Sequence, residues 1–262
     1  MKTHPVIALL TDFGVEDGYV ASMKAVILSN SPNCRIIDVS HSVQPQNIDQ
    51  AAYLLWSSYK YFPNRTIFVS VVDPGVGTDR KIICVESEGY RFLAPDNGIL
   101  KFILGSLRKP KIISVNNSNY FLTSVSSTFH GRDVFAPVAA HLANGVPIKE
   151  FGPETTPLFH AERFVEVLLL SKEKYQGKVI NIDRFGNIVT NFLIKLQPAG
   201  KLRLKIGRKA INEVEDNYAS AISKKPFMIV GSTKLLEVAV KNGSAYDVLH
   251  PKINQEIILN VG

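Results

Sequence analysis

Val69-Ser70-Val71-Val72-Asp73-Pro74-Gly75-Val76-Gly77-Thr78-Asp79-Arg80 joins a β-branched run to a carboxylate and then to a glycine-rich turn. With Ile67 ahead of it, the run through Val69, Val71 and Val72 has the near-continuous apolar character of a strand buried on both faces of a parallel sheet. Pro74, Gly75 and Gly77 stop it within a few residues. In open α/β sheets ligands bind beyond the carboxyl ends of the strands, which makes Asp73 a candidate for the rim of a site. A plainer reading of the same residues is an Asp-Pro turn whose carboxylate bonds its own backbone.

Outward from this stretch, strand and helix patterns alternate up to about residue 145, the sequence form of an α/β domain with a mainly parallel sheet. Val6 to Leu10 reads as the first strand, and a helix starting at Asp17 or Gly18 follows the turn Thr11-Asp12-Phe13-Gly14. Arg35 to Val39 and Thr66 to Val72 are further strands, separated by a helix over Asn47 to Tyr59. Ile82 to Glu86 and Tyr90 to Ala94 flank Ser87-Glu88-Gly89, a hairpin signal that departs from pure β-α-β order. Gly98 to Leu104 suits a short helix and Lys111 to Val115 a strand. Asp133 to Ala143 has helical spacing, with Asp133 as its capping candidate and Pro137 inside it, so this helix must start late or bend. From Phe164 onward, short strands separated by Gly, Asn and Lys-Pro turns predict a compact β domain. The expected division is an N-terminal α/β domain over 1–150, a linker over 151–163 rich in Gly and Pro, and a C-terminal β domain over 164–262.

The totals limit the functional classes. The 262 residues are 45% hydrophobic and 20% charged, ordinary for a soluble globular protein, and no apolar run approaches the roughly 18 residues a membrane span needs. Pro5 to Leu10 is too short for a secretory segment and runs directly into Thr11-Asp12, so a cytoplasmic protein is expected. Cys34 and Cys84 both sit in apolar context, which leaves no material for a disulfide framework or a thiolate-metal site. The net charge of +7 lies mostly beyond residue 163, partly in Lys201-Leu202-Arg203-Leu204-Lys205-Ile206, where period-two alternation puts the cations on a solvated strand face. No basic and aromatic interleaving accompanies it, so no nucleic-acid partner is expected. The phosphate-loop, dinucleotide and nucleophile-elbow motifs are missing.

Four polar clusters share one form, an apolar strand ending in a carboxylate beside glycine: Thr11 to Gly14, Asp73 to Gly77, Ala94-Pro95-Asp96-Asn97-Gly98 and Asp183-Arg184-Phe185-Gly186-Asn187. Together they suggest a rim around a pocket. A fifth, Ser126-Ser127-Thr128-Phe129-His130-Gly131-Arg132-Asp133, supplies hydroxyls and an imidazole that helix capping does not explain. Asp12, Asp73, Asp96 and His130 could bind a divalent cation, but no two histidines are spaced as zinc ligands and no metal is expected. His41 and the other histidines stand alone and read as core or surface.

These five clusters, with Asp17-Gly18-Tyr19-Val20 and Ile188-Val189-Thr190-Asn191, resemble the S-adenosylmethionine hydroxide adenosyltransferase family, relatives of the fluorinase and chlorinase enzymes, over nearly the whole chain. The resemblance implies hydrolysis of S-adenosylmethionine to adenosine and methionine by hydroxide attack at the ribose C5′. The cofactor molecule is itself the substrate and no other cofactor is called for. It implies a homotrimer whose active sites lie at subunit interfaces. It implies a catalytic set of Asp73, Arg80 and His130, with the base left open between Asp73 and His130. It also places Asp12 on the ribose hydroxyls, Asp183 on the methionine ammonium, Phe185 against the purine, Asn187 on the adenine edge and Ser232 on the methionine carboxylate. Lys234 stands where relatives carry glycine. The alternatives are a halogenase on the same scaffold, which Arg80 and His130 together argue against, and a non-catalytic adenosine or S-adenosylmethionine binder.

Overall fold

The computed structural model describes residues 4–159, 167–194 and 201–262. His160, the last part of the expected linker and the first residues of the expected C-terminal β domain lie outside the described residues. The chain falls into two compact units, Met1–Arg163 and Phe164–Gly262, and the whole is mixed α/β.

In the first unit, β1 (Val6–Thr11), β2 (Arg35–Ser40), β3 (Ile67–Val71), β4 (Ile82–Ser87), β5 (Tyr90–Pro95) and β6 (Lys111–Ser114) form one sheet in the order β2-β1-β3-β5-β4-β6. The pairs β1/β2, β1/β3 and β3/β5 are parallel, while β4 runs antiparallel to both neighbours because Glu88 and Gly89 turn it back at positive φ. The strand order reverses at β1: the chain leaves it through α1 (Tyr19–Asn30) to β2 on one side and returns through α2 (Ile48–Ser58) to β3 on the other. That reversal opens a crevice beyond the carboxyl ends of β1 and β3, where Thr11 lies opposite Val71.

Alternation along β1 buries both faces of the sheet. Ile7 and Leu9 pack with Met23, Ile27, Val138 and Ala139 under α1 and α4 (Ala136–Ala143), while Ala8 and Leu10 pack with Leu55, Phe68, Phe92 and Ile103 under α2 and α3 (Lys101–Leu104). Phe68 and Phe92 stack with ring centroids 5.1 Å apart. Cys34 and Cys84 are free, buried thiols, and burial pushes Cys84 up to about 12.

The helix expected over Asp133 to Ala143 is resolved differently. Gly131–Phe135 forms a π-helical turn, and α4 begins only at Ala136, which puts Pro137 in its first turn where the missing N–H costs nothing. Asp133 therefore caps no helix. It is fully buried, accepts the Ser126 N–H at 2.8 Å and pairs with Arg132 at 2.6 Å; burial pushes its carboxyl up, but Arg132 and the Ser126 donor outweigh it and hold the carboxyl below its usual range.

In the second unit β7 (Leu168–Ser171), β8 (Lys174–Ile182), β9 (Ile188–Leu193), β10 (Leu202–Ile206), β11 (Lys209–Ile211), β12 (Val214–Glu215), β13 (Phe227–Val230), β14 (Leu235–Ala239) and β15 (Glu256–Val261) make a curled sheet. The long β8 pairs with β15 over Lys174 to Lys178 and with β9 from Val179 to Ile182, with an irregularity between Val179 and Asn181, and β14 pairs with β9 through a second irregularity. On β10, Leu202, Leu204 and Ile206 are buried and Arg203 and Lys205 exposed. The short helix α5 (Ala245–Leu249), capped by Ser244, was not foreseen in a region that reads as strands and turns.

Candidate active site

Asp73 follows the last residue of β3 by two positions, at the crevice. The turn after it is stitched by Thr78, whose hydroxyl donates to the Gly75 carbonyl at 2.6 Å. Gly77 takes φ +80, and a Cβ there would stand 2.3 Å from the Ser127 carbonyl oxygen, so this glycine allows both the turn and its contact with the 126–133 segment. The turn returns Arg80 onto Asp73: Nε donates to both carboxylate oxygens at 3.0 and 2.9 Å, and Nη2 to Oδ2. Only 5% of the Asp73 side chain and 12% of the Arg80 side chain are exposed, so the pair is shielded from water and strongly directional.

Arg80 Nη2 also lies 2.9 Å from Nδ1 of His130. His130 is set in place by Ser126, whose hydroxyl oxygen accepts the Phe129 N–H at 3.0 Å, and by the π-helical turn that begins one residue later. A guanidinium can only donate, so Nδ1 must carry a lone pair and the imidazole proton sits on Nε2. Burial, and then the Arg80 charge, hold His130 below the usual histidine range and outweigh Asp73 and Asp133, which act in the other direction. These causes favour the neutral ring at pH 7.

Asp12, one residue past β1, lines the same open hollow of about 680 Å³ as Asp73 and His130. Its Oδ2 accepts the Gln46 N–H at 2.8 Å, and its Oδ1 has no partner among the described residues. Phe13, Tyr19 and Phe129 form one wall, with centroids 5.1 to 5.8 Å apart. The volume and the mix of an apolar wall with a few polar groups suit a small organic molecule. Asp96, expected on the same rim, is elsewhere: it is buried and accepts the Leu158 N–H at 2.8 Å, a structural anchor. Among the described residues no group of three or more His, Cys, Asp or Glu side chains could hold a metal ion.

In the second unit Asp183 closes its own turn, accepting from the Phe185 and Asn187 N–H groups at 2.8 Å each and from Asn187 Nδ2 at 2.9 Å. Gly186 at φ +79 has Ser244 where a side chain would be. Asp183, Phe185 and Asn187 line a second hollow of about 570 Å³ with Tyr218 and Lys241, and Phe185 is 77% exposed at its edge. Ser232 is exposed in the β13–β14 turn and is not part of this lining. Lys234 takes φ +65 in that turn, the conformation that glycine adopts without strain.

Two groups were missed by sequence reasoning. Glu237 on β14 is buried, and burial, with the Asp183 charge, pushes it up to about 7; the Tyr218 hydroxyl donates to it at 3.4 Å. A carboxylate inside the apolar run Leu235 to Val240 was the available signal. His41, read as a lone histidine, bonds Thr11 immediately before Asp12; its partner is thirty residues away and no local pattern reveals it.

Residues 7–152 match the family model of the SAM hydroxide adenosyltransferase N-terminal domain and residues 177–258 that of the C-terminal domain. The (R)-S-adenosyl-L-methionine hydrolase of Thermus thermophilus is 35% identical over 250 residues, covering 93% of this chain and 94% of the relative. A fluorinase of an Actinoplanes species is more distant, 28% identical over 220 residues with 72% of each covered. A solved structure of an uncharacterized conserved protein from Thermotoga maritima superposes with a TM-score of 0.88 at 35% identity, covering 97% of this chain and 99% of that one. The chain belongs to the SAM hydroxide adenosyltransferase family.

Proposed function

We propose that the protein is an enzyme that hydrolyses S-adenosyl-L-methionine to adenosine and L-methionine. The observation that carries this reading is the Asp73–Arg80–His130 constellation, whose Asp73 and His130 line a hollow together with Asp12, within a chain so similar to a named hydrolase. A water-derived oxygen attacks C5′, the C5′–S bond breaks with its electron pair going to sulfur, and methionine leaves as a neutral thioether. The leaving group needs no proton, so the protein has only to orient and partly desolvate the nucleophile.

The bond from Arg80 to Nδ1 suggests how the roles divide. His130 presents Nε2–H, a donor that orients the attacking oxygen, and is not the base in this state. Asp73 keeps lone pairs at the hollow and takes the water proton, while Arg80 offsets the charge of the forming hydroxide. Arg80 and His130 together favour hydroxide over a bound halide.

For the substrate, Asp12 Oδ1 is free to accept from the ribose diol. Asp183 keeps acceptor capacity for the methionine ammonium, since Oδ2 takes one internal bond, and the Asn187 amide oxygen is free for the adenine amino edge. The exposed Phe185 ring covers the purine, and Ser232 as the carboxylate contact rests on the resemblance alone. Each hollow offers part of what the substrate needs, so we place the complete site in a homotrimer, between the first hollow of one subunit and the second hollow of the next. The two unpaired, buried cysteines accord with a cytoplasmic setting.

Purified protein with S-adenosylmethionine in halide-free buffer should yield adenosine and methionine in equal amounts, with oxygen-18 from labelled water in the adenosine 5′-hydroxyl. A 5′-halo nucleoside formed only when halide is added would make it a halogenase. No turnover would leave a binding protein.

A further inference from the structure

The turn that carries Asp12 is held from behind by a relay that touches no part of the hollow's catalytic set. The hydroxyl of Thr11, fully buried at the end of β1, lies 2.8 Å from Nδ1 of His41 and accepts the Phe13 N–H at 3.3 Å. His41 Nε2 lies 3.0 Å from Asp38 Oδ1, and Asp38 Oδ2 pairs with Lys24 at 2.7 Å. The carboxylate beside Nε2 favours the hydrogen there, although the contact is not aligned as a hydrogen bond, and Nδ1 is then the acceptor of the Thr11 hydroxyl. The His41 carbonyl, in addition, accepts the N–H of Gly14, which sits at φ +68. Ring and backbone of one buried residue thus clamp the 11–14 turn to the 41–46 segment, whose Gln46, at φ +64, donates to Asp12 Oδ2.

We propose that His41, acting through Thr11, is a positioning residue for ribose recognition: the relay fixes the Asp12 carboxylate with Oδ2 occupied and Oδ1 free at the hollow. This rests on the reading that Asp12 takes the ribose hydroxyls. A carboxylate that had to be ordered on binding would accept the diol more weakly, because the ordering cost would come out of the binding free energy.

The test is Thr11→Val, which keeps the side-chain shape and removes the hydroxyl, with Thr11→Ser as the conservative control. Steady-state kinetics with S-adenosylmethionine and calorimetry with adenosine are measured for both, for Asp12→Asn alone, and for Thr11→Val combined with Asp12→Asn. Loss of the relay should raise KM and the adenosine Kd about tenfold and leave kcat within threefold, with Thr11→Ser close to the parent. In the Asp12→Asn background Thr11→Val should add less than twofold. Unchanged KM and Kd in Thr11→Val, where Asp12→Asn alone is impaired, overturn the positioning role. So do effects that multiply in the double variant, or a fall in kcat equal to the rise in KM together with a lowered melting temperature. If Asp12→Asn itself binds adenosine like the parent, the ribose assignment falls and the proposal with it.

Discussion

Arg80 donates to His130 Nδ1 at 2.9 Å while its Nε spans both oxygens of Asp73 at 2.9 and 3.0 Å. One guanidinium therefore sets the tautomer of the imidazole and the orientation of the carboxylate. Removing it should disturb both partners, and removing either partner should leave a buried cation short of an acceptor. We expect Arg80→Ala and His130→Ala each to lower kcat by about 10²- to 10³-fold with a much smaller change in KM. Single-turnover kinetics beside an adenosine binding isotherm checks this. Losses confined to binding would remove both residues from the chemistry.

The acid limb of the pH profile should belong to His130. Burial and Arg80 hold its pKa below the ordinary value of 6.5, so the ring is neutral at pH 7 and takes up a proton only further down. Protonation puts a hydrogen on Nδ1 against Arg80, so activity should fall as pH drops through that lowered value. The sign for stability is the same: an unfolded chain protonates first, so stability is intact above about 6.5 and is lost as pH falls through the folded value. Replacing Arg80 by Met removes one of the two lowering causes, and the His130 ring titration followed by NMR should move upward.

Gly77→Ala should damage fold and site together. Its φ of +80 disfavours any side chain, and the new Cβ would meet the Ser127 carbonyl oxygen at 2.3 Å, on the segment that leads to His130. A loss of about 1–3 kcal/mol in denaturant unfolding is expected, with lowered kcat. Gly18→Ala, where a Cβ meets nothing within 4 Å, is the control and should cost little.

Local pattern carried the strands of the first sheet far because their burial is set by short-range composition: the run ending at Val72 needed only its β-branched residues and the glycines after it. The site was legible where its residues lie in recognisable clusters, as Asp12, Asp73 and His130 do. Asp96 looked the same in sequence as Asp73, and what separates them is the distant Leu158 N–H that one of them accepts. The π-helical turn at Gly131–Phe135 likewise depends on Asp133 reaching back to Ser126, a bond that competes with ordinary capping and leaves no periodic trace. Thr11 with His41, and Glu237 with Asp183, are pairings made by the fold between separate strands and turns.

Glu237 yields the last prediction. It is buried on β14, and its carboxyl is pushed up to about 7, first by burial and then by the charge of Asp183. An unfolded chain ionises this group near 4.5, the folded one only near 7, so stability is fully present below about 4.5 and is lost as pH rises through about 7. Glu237→Gln keeps an acceptor for the Tyr218 hydroxyl and removes the group that resists ionisation. The variant should gain stability over the parent at pH 8, on the order of 1–3 kcal/mol, and should match it or fall slightly below it at pH 5. Chemical denaturation at the two pH values measures the difference. An equal effect at both would mean that Glu237 is already ionised in the folded protein at pH 5, and that burial and the neighbouring Asp183 do not hold it neutral.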